Sequence, residues 1–265
     1  GFPPPNFSPP APPSGSPDLW LLFLDELNLA PQLVQHAAYQ LILDRRVGEY
    51  TLPEHCFVIA AGNRVEDRTG VRDMPAALAN RFEHINFDLD VAEWSEWAIK
   101  HGVSGEVVAF IRLYSDMLFA FDPQRDKTAY PTPRTVVFAD RVWKAHGDEA
   151  SVWEGIAGCT GKEWSAKFHA FIKLQDQLPD VEDILSGKSK KIPDRSDLLY
   201  AIAALLGSKT TESQVEHAVN YANLLPAEHG AFLVQLLATR LRDALVKTKS
   251  WAEWVRQHRN FILEE

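Results

Sequence analysis

The sequence predicts an α/β portion followed by an all-α portion, with the change near residue 90. Two short apolar runs, Leu19–Asp25 and Phe57–Ala61, each stop abruptly at polar residues. Runs of that length read as buried parallel strands. Between them Val34, Ala37, Ala38, Leu41 and Ile42 follow helical spacing, which gives the strand, helix, strand order of a parallel sheet. From Asp90 onward the strand signal disappears and helix start and stop signals dominate.

Residues 1–18 read as a loop or linker, because eight of the chain's 17 prolines fall in the first 17 positions. Such a segment lacks ladder donors and favours polyproline II or irregular backbone. A strand over Leu19–Asp25 follows, and Pro31 then opens a helix that ends near Asp44. Arg46–Pro53 reads as a short hairpin leading into the strand Phe57–Ala61, which stops at Gly62 and Asn63. A polar loop with Arg64, Glu66, Asp67 and Arg68 comes next, then a short helical piece over Pro75–Asn80 and a third strand over His84–Phe87. These elements make an α/β region over residues 19–90.

Residues 91–265 read as helical throughout. Asp90 caps a helix with Trp94 and Trp97 that ends at Gly102, and Ser104 starts another running to about Phe121 before Pro123. Thr132 and Pro133 form an N-cap and first-turn pair for a helix to Ala145, closed by Gly147. Thr160 with Glu163, and Ser250 with Glu253, have capping-box spacing. Further helices are predicted near residues 162–177, 197–206, 212–223 and 227–247, and no repeat period stands out.

Composition narrows the function. With 265 residues and 46% hydrophobic content the chain can bury one large core or two smaller ones, and the change at residue 90 favours two. A net charge of −9 argues against a general nucleic-acid or anionic-membrane binder, which needs a basic surface. Cys56 and Cys159 form no CxxC pair, so neither a disulfide framework nor a zinc site is implied and a reducing compartment is expected. No run is long enough to span a bilayer and no signal peptide precedes the first strand, so a cytoplasmic protein is expected. The nine histidines show no HExxH spacing and there is no GxSxG elbow.

Four features carry chemistry. The run Leu21–Leu24 ends in Asp25 and Glu26, and parallel sheets bind ligands at the carboxyl ends of their strands. This has the form of a Walker B strand, in which the first acid holds Mg²⁺, usually through water, and the second polarises the water that attacks a γ-phosphate. Asn63 ends the next strand, where an amide can orient a nucleophilic water; as a bare residue an Asn there is more often a turn former. Arg81 follows a short helix beside a core-anchoring Phe82, and a guanidinium there can complete a neighbouring subunit's site or simply form a surface ion pair. Arg134 is held in the first turn of a helix between Pro131, Pro133 and Thr135, a place that favours phosphate or leaves a solvated cation.

Their order is more specific than any one of them. Acid pair, strand-end Asn, Asn80-Arg81-Phe82 and Thr132-Pro133-Arg134-Thr135 resemble Walker B, sensor 1, arginine finger and sensor 2 of AAA+ ATPases. The wording Phe23-Leu24-Asp25-Glu26-Leu27-Asn28 and Ala60-Ala61-Gly62-Asn63 is similar to the MoxR-like branch, and Gly155-Ile156-Ala157-Gly158 and Leu178-Pro179-Asp180 look like turns of the same family. The resemblance covers nearly everything after residue 18. It implies a partial AAA+, P-loop NTPase-like parallel-sheet core over residues 19–90 and a C-terminal helical lid over 91–265. ATP and Mg²⁺ are the implied ligands, with Asp25 on the metal, Glu26, Asn63 and Arg81 in catalysis, and Arg134 on phosphate. The implied assembly is a ring, often hexameric, that couples ATP hydrolysis to chaperone-like remodelling of a partner, commonly one with a von Willebrand factor A-type domain.

One family element is missing. GxxxxGK[ST], the Walker A loop, should precede Walker B, and nothing before Asp25 supplies it. Gly158-Cys159-Thr160-Gly161-Lys162 is a decoy: Ile156 stands where the first Gly belongs, Glu163 follows the Lys, and no strand precedes it. It reads as a helix–helix turn. The expectation is therefore the carboxyl-terminal portion of a longer ATPase, inactive and weak in ATP affinity by itself, with its two strands paired and His84–Phe87 lacking its usual neighbour. A non-hydrolysing scaffold derived from such an ATPase is the alternative from another class, and a nucleic-acid motor of the same superfamily is a weaker third.

Overall fold

The computed structural model describes residues 20–63, 74–121 and 128–257. The proline-rich start and the polar loop with Arg64, Glu66, Asp67 and Arg68 lie outside the described residues. Contacts divide the chain between Phe87 and Asp88 into two compact units.

In the first unit, strand β1 (Trp20–Leu24) pairs in parallel with β4 (Cys56–Ala60), in register from Trp20 opposite Cys56 to Leu24 opposite Ala60. Helix α1 (Gln32–Leu43) makes the crossover, with Pro31 immediately before it and Asp44 at its end. A hairpin of β2 (Arg46–Val47) and β3 (Tyr50–Thr51) then returns the chain. Arg45, in the left-handed region at φ 56°, donates from its guanidinium to the carbonyls of Pro53 and Cys56 and so ties the hairpin to the start of β4. Alternation along the pair puts Leu21, Phe23, Phe57 and Ile59 on one exposed face.

Short helix α2 (Ala76–Ala79) forms where Pro75–Asn80 predicts it, but the strand expected over His84–Phe87 does not form. Ile85 and Phe87 are instead 82% and 91% exposed. Extended backbone becomes a strand only when its N–H and C=O groups find a ladder, and among the described residues β1 and β4 pair only with each other.

The second unit is helical: α3 (Val91–Lys100), α4 (Gly105–Leu113), α5 (Pro133–His146), α6 (Val152–Thr160), α7 (Lys162–Lys173), α8 (Val181–Leu185), α9 (Ser196–Lys209), α10 (Val215–Ala222), α11 (Ala227–Arg240), α12 (Arg242–Leu245) and α13 (Lys249–Gln257). Helix α9 is central, with every residue from Leu198 to Gly207 buried, the pattern of a helix apolar on all sides. It packs on α4 and α11, while α5, α6 and α7 pack in succession and α10 bridges α11 and α13. Phe110 of α4 meets Trp164 and Phe168 of α7 edge-on, at centroid distances of 4.9 and 5.3 Å.

Local signals place several ends correctly. The Asp90 carboxylate accepts from Glu93 N at 2.9 Å, Thr132 and Thr135 form a reciprocal capping box, and Gly147 closes α5 with positive φ. Others are overruled by packing. Gly155–Gly158 is not a turn but lies inside α6. The Thr160 hydroxyl is buried and donates to Ile156 O at 3.0 Å rather than capping, so Gly161 at φ 89° makes the α6–α7 junction. Ser250 lies within α13, whose first amides, Lys249 N and Ser250 N, donate to the Glu216 carboxylate of α10 instead.

Two predicted helices are interrupted. Helix α4 stops at Leu113, followed by a 3₁₀ turn over Ser115–Met117 whose Met117 carbonyl accepts from Trp164 Nε1 at 3.1 Å. The helix over 227–247 breaks at Leu241, just after Arg240 donates to the carbonyls of Ser208 and Thr210 at the end of α9. Among the described residues no helix is long and apolar enough to cross a membrane.

Candidate functional site

The parallel ladder continues beyond the formal ends of β1 and β4. Ala61 N donates to Leu24 O at 3.0 Å and Leu27 N to Ala61 O at 3.1 Å, so the Asp25–Glu26 turn sits against the backbone of Ala61. Glu26 takes the left-handed conformation at φ 57°, which turns the chain into a 3₁₀ turn over Leu27–Leu29. Leu27 is buried beneath it, while Asp25 and Glu26 are exposed. An apolar anchor on each side of two solvated carboxylates is what the run Leu24-Asp25-Glu26-Leu27 dictates at a strand end.

Asn63 joins this end of the sheet through its backbone. Asn28 Nδ2 donates to Asn63 O at 2.6 Å, bridging the chain after β1 to the chain after β4. Gly62 makes the approach possible: a Cβ there would lie 2.2 Å from Asn28 Oδ1. Behind the turn, buried Gln35 of α1 donates to Ala30 O at 2.9 Å. Asn63 itself is exposed. Three of the five predicted residues are thus gathered at adjoining strand ends, the edge at which open parallel sheets bind ligands.

Arg81 is placed differently. Its guanidinium lies over the Tyr39 ring of α1, 5.0 Å from the centroid, and Nη1 donates to Ala77 O of α2. Among the described residues no ion pair or hydrogen bond links it to Asp25, Glu26 or Asn63. Arg134 belongs to the second unit. It stands exposed in the first turn of α5, directly after the Thr132–Thr135 capping box, and pairs with no described acid.

Among the described residues no group of three or more His, Cys, Asp or Glu could hold a metal by itself. The exposed Asp25 carboxylate is the kind of ligand that a hard cation such as Mg²⁺ takes, since that ion is usually held by one or two carboxylates together with waters and ligand phosphates. A cavity of about 800 Å³ lies elsewhere, in the second unit, lined by Met117, Phe121, Pro131, Ala157, Gly161 and Trp164 among others, and none of the five predicted site residues lines it.

Two groups of consequence escaped sequence reasoning. Asn28 and Tyr39 hold Asn63 and Arg81, and their only signals are positional: an amide two residues after the acid pair, and an aromatic on the helix that follows. The second is a polar group under the surface of the helical unit, where Tyr200 OH donates to Glu228, Arg112 Nη2 donates to Gln235 at 3.0 Å, and His229 packs on the Tyr200 ring. Burial pushes the Tyr200 phenol up, lowers Arg112 and lowers His229 below the ordinary imidazole value. No family model, curated protein or solved structure matches this chain.

Proposed function

We propose that this chain holds the Walker B to sensor 2 portion of a MoxR-like AAA+ ATPase that couples ATP hydrolysis to chaperone-like remodelling or assembly of a partner protein. The observation that supports it best is the sheet end: a parallel strand pair joined by a helical crossover, with Asp25, Glu26 and Asn63 at its carboxyl edge and the Asn28–Asn63 bond holding the two strand ends together. Glu26 takes the role of base toward an attacking water, and Asn63 orients that water through its amide. Asp25 would hold Mg²⁺, which would supply positive charge to a phosphate there. Arg81 and Arg134 supply positive charge to phosphate, Arg81 across a subunit boundary of a ring, often hexameric in such ATPases. A cytoplasmic setting and a von Willebrand factor A-type partner belong to the same reading.

The test is Glu26→Gln in the complete gene product, assayed for nucleotide binding and turnover. Loss of a general base predicts binding that persists while turnover falls about 10²-fold or more. Unchanged turnover removes Glu26 from this role. Absence of any nucleotide binding or turnover in the unaltered product supports the non-hydrolysing scaffold instead.

A further inference from the structure

Helix α1 buries an amide in preference to its larger apolar side chains. Gln35 is 1% exposed, while its neighbours Leu33 and Val34 are 81% and 52% exposed. Taking a carboxamide out of water is costly unless it is hydrogen-bonded, so this burial marks a bond of consequence. Gln35 Nε2 donates to Ala30 O at 2.9 Å and lies 3.5 Å from Asn28 O, both carbonyls of the chain that follows the acid pair. Among the described residues Gln35 Oε1 has no partner, so the group acts through its N–H bonds alone. The segment it grips is one that needs holding. Glu26 stands in the left-handed region at φ 57°, a conformation that a residue with a Cβ keeps only where its surroundings enforce it. Leu27 N on Ala61 O and Asn28 Nδ2 on Asn63 O hold the turn from the β4 side, and Gln35 holds it from the α1 side.

We propose that Gln35 is a positioning residue of the sheet-end site: its carboxamide fixes the turn that carries Asp25 and Glu26 against the end of β4. A base must stay within hydrogen-bond reach of the proton it takes, and a misplacement of about 1 Å can cost about 10² in rate. A carboxylate on an exposed turn acquires that precision from the groups behind the turn. Gln35 acts through the backbone of residues 28–30 rather than on either carboxylate. Its part in hydrolysis rests on the reading of Glu26 as base toward water; its hold on the turn does not.

Gln35→Leu keeps most of the bulk and removes the donor. In the full chain, amide exchange followed by NMR should become about tenfold or more faster at Leu27 and Ala61 and stay unchanged along α9. Gln35→Glu gives a sharper readout. An ionised carboxyl facing two carbonyls cannot donate, whereas burial raises its pKa and the protonated form donates as the amide does. Protection of Leu27, corrected for the intrinsic pH dependence of exchange, should be lost at about pH 8 and regained at about pH 5.5, which a change of volume does not reproduce. In the complete gene product Gln35→Leu should lower nucleotide turnover about tenfold or more with affinity kept within about twofold. Unchanged exchange at Leu27 in Gln35→Leu, or no recovery of Gln35→Glu at acid pH, overturns the proposal, and so does full turnover or a parallel loss of affinity. Absence of turnover in the unaltered product overturns the functional reading and the catalytic half of this proposal with it, while the exchange experiment still decides whether Gln35 holds the turn.

Discussion

Gly62 and Asn28 act as one device. The amide of Asn28 reaches Asn63 O only because position 62 has no Cβ, and the three atoms nearest that missing carbon all belong to Asn28. Asn28→Ala should cost about 1 kcal/mol, the net worth of a hydrogen bond. Gly62→Ala should cost a similar amount by driving the amide away. The double variant should cost little more than Asn28→Ala, because the clash vanishes with the amide, and a double-mutant cycle from urea unfolding checks this. Fully additive losses would separate the two residues. His229 carries a second expectation at this scale. It is buried, neither ring nitrogen has a partner, and desolvation lowers its pKa while the nearby Glu228 pulls weakly the other way. The unfolded chain therefore binds the proton first as pH falls, so stability present above about pH 6.5 is lost below it. The urea midpoint should drop between pH 7.5 and 5.5, and His229→Phe should shrink that drop; an equal drop in the variant would place the acid sensitivity elsewhere. The places of the acid pair and Asn63 at strand ends, and of Arg81 and Arg134 at helix ends, were legible because each stands at an element end with its own local signature. Asn28 and Tyr39 were not, since their partners lie 35 and 42 residues away in sequence.

Helix ends and helix contacts follow different rules. Asp90 and Thr132 cap as their spacing predicts because the bond closes within three residues. Thr160 and Ser250 have the same spacing but spend their hydroxyls on carbonyls of Ile156 and Glu216. Close helix packing is equally hidden in sequence and more consequential. At Gly230 an added Cβ would lie 2.5 Å from the backbone Ala222 O, so α10 and α11 approach there without side-chain spacing. At Gly207 the nearest atom, 2.6 Å away, is the flexible end of Leu236. Gly230→Ala should therefore cost about 2 kcal/mol or more and Gly207→Ala less, the usual range for overpacking being about 1 to 3 kcal/mol. Thermal unfolding of the two variants ranks them, and the reverse order would refute the backbone argument.

At the scale of the whole molecule the two units differ in how completely they cover apolar surface. The helical unit encloses Phe110, Trp164, Phe168, Ile202, Leu206 and Phe232, each at most 1% exposed. The first unit leaves one face of its two-stranded sheet in solvent, and parallel sheets are ordinarily covered on both faces. Residues 88–265 expressed alone should keep a cooperative thermal transition and native helicity by circular dichroism. A broad, non-cooperative melt would show that the helical unit depends on the first 87 residues.

The sequence by itself determined the strand, helix, strand order of the first unit, the change to helices near residue 90, the sheet-end position of the acid pair and Asn63, and the caps of α3 and α5. All of these arise from periodicity and from bonds between residues a few positions apart. Only the tertiary structure decided that His84–Phe87 stays out of the ladder, that Gly155–Gly158 is helical, that Arg81 lies on Tyr39, and that Asn28 clasps Asn63. Each of those outcomes depends on whether a polar or apolar group finds a distant partner. Local spacing carries no record of that, because burial and hydrogen bonding are satisfied by the folded neighbourhood and not by the neighbouring residue.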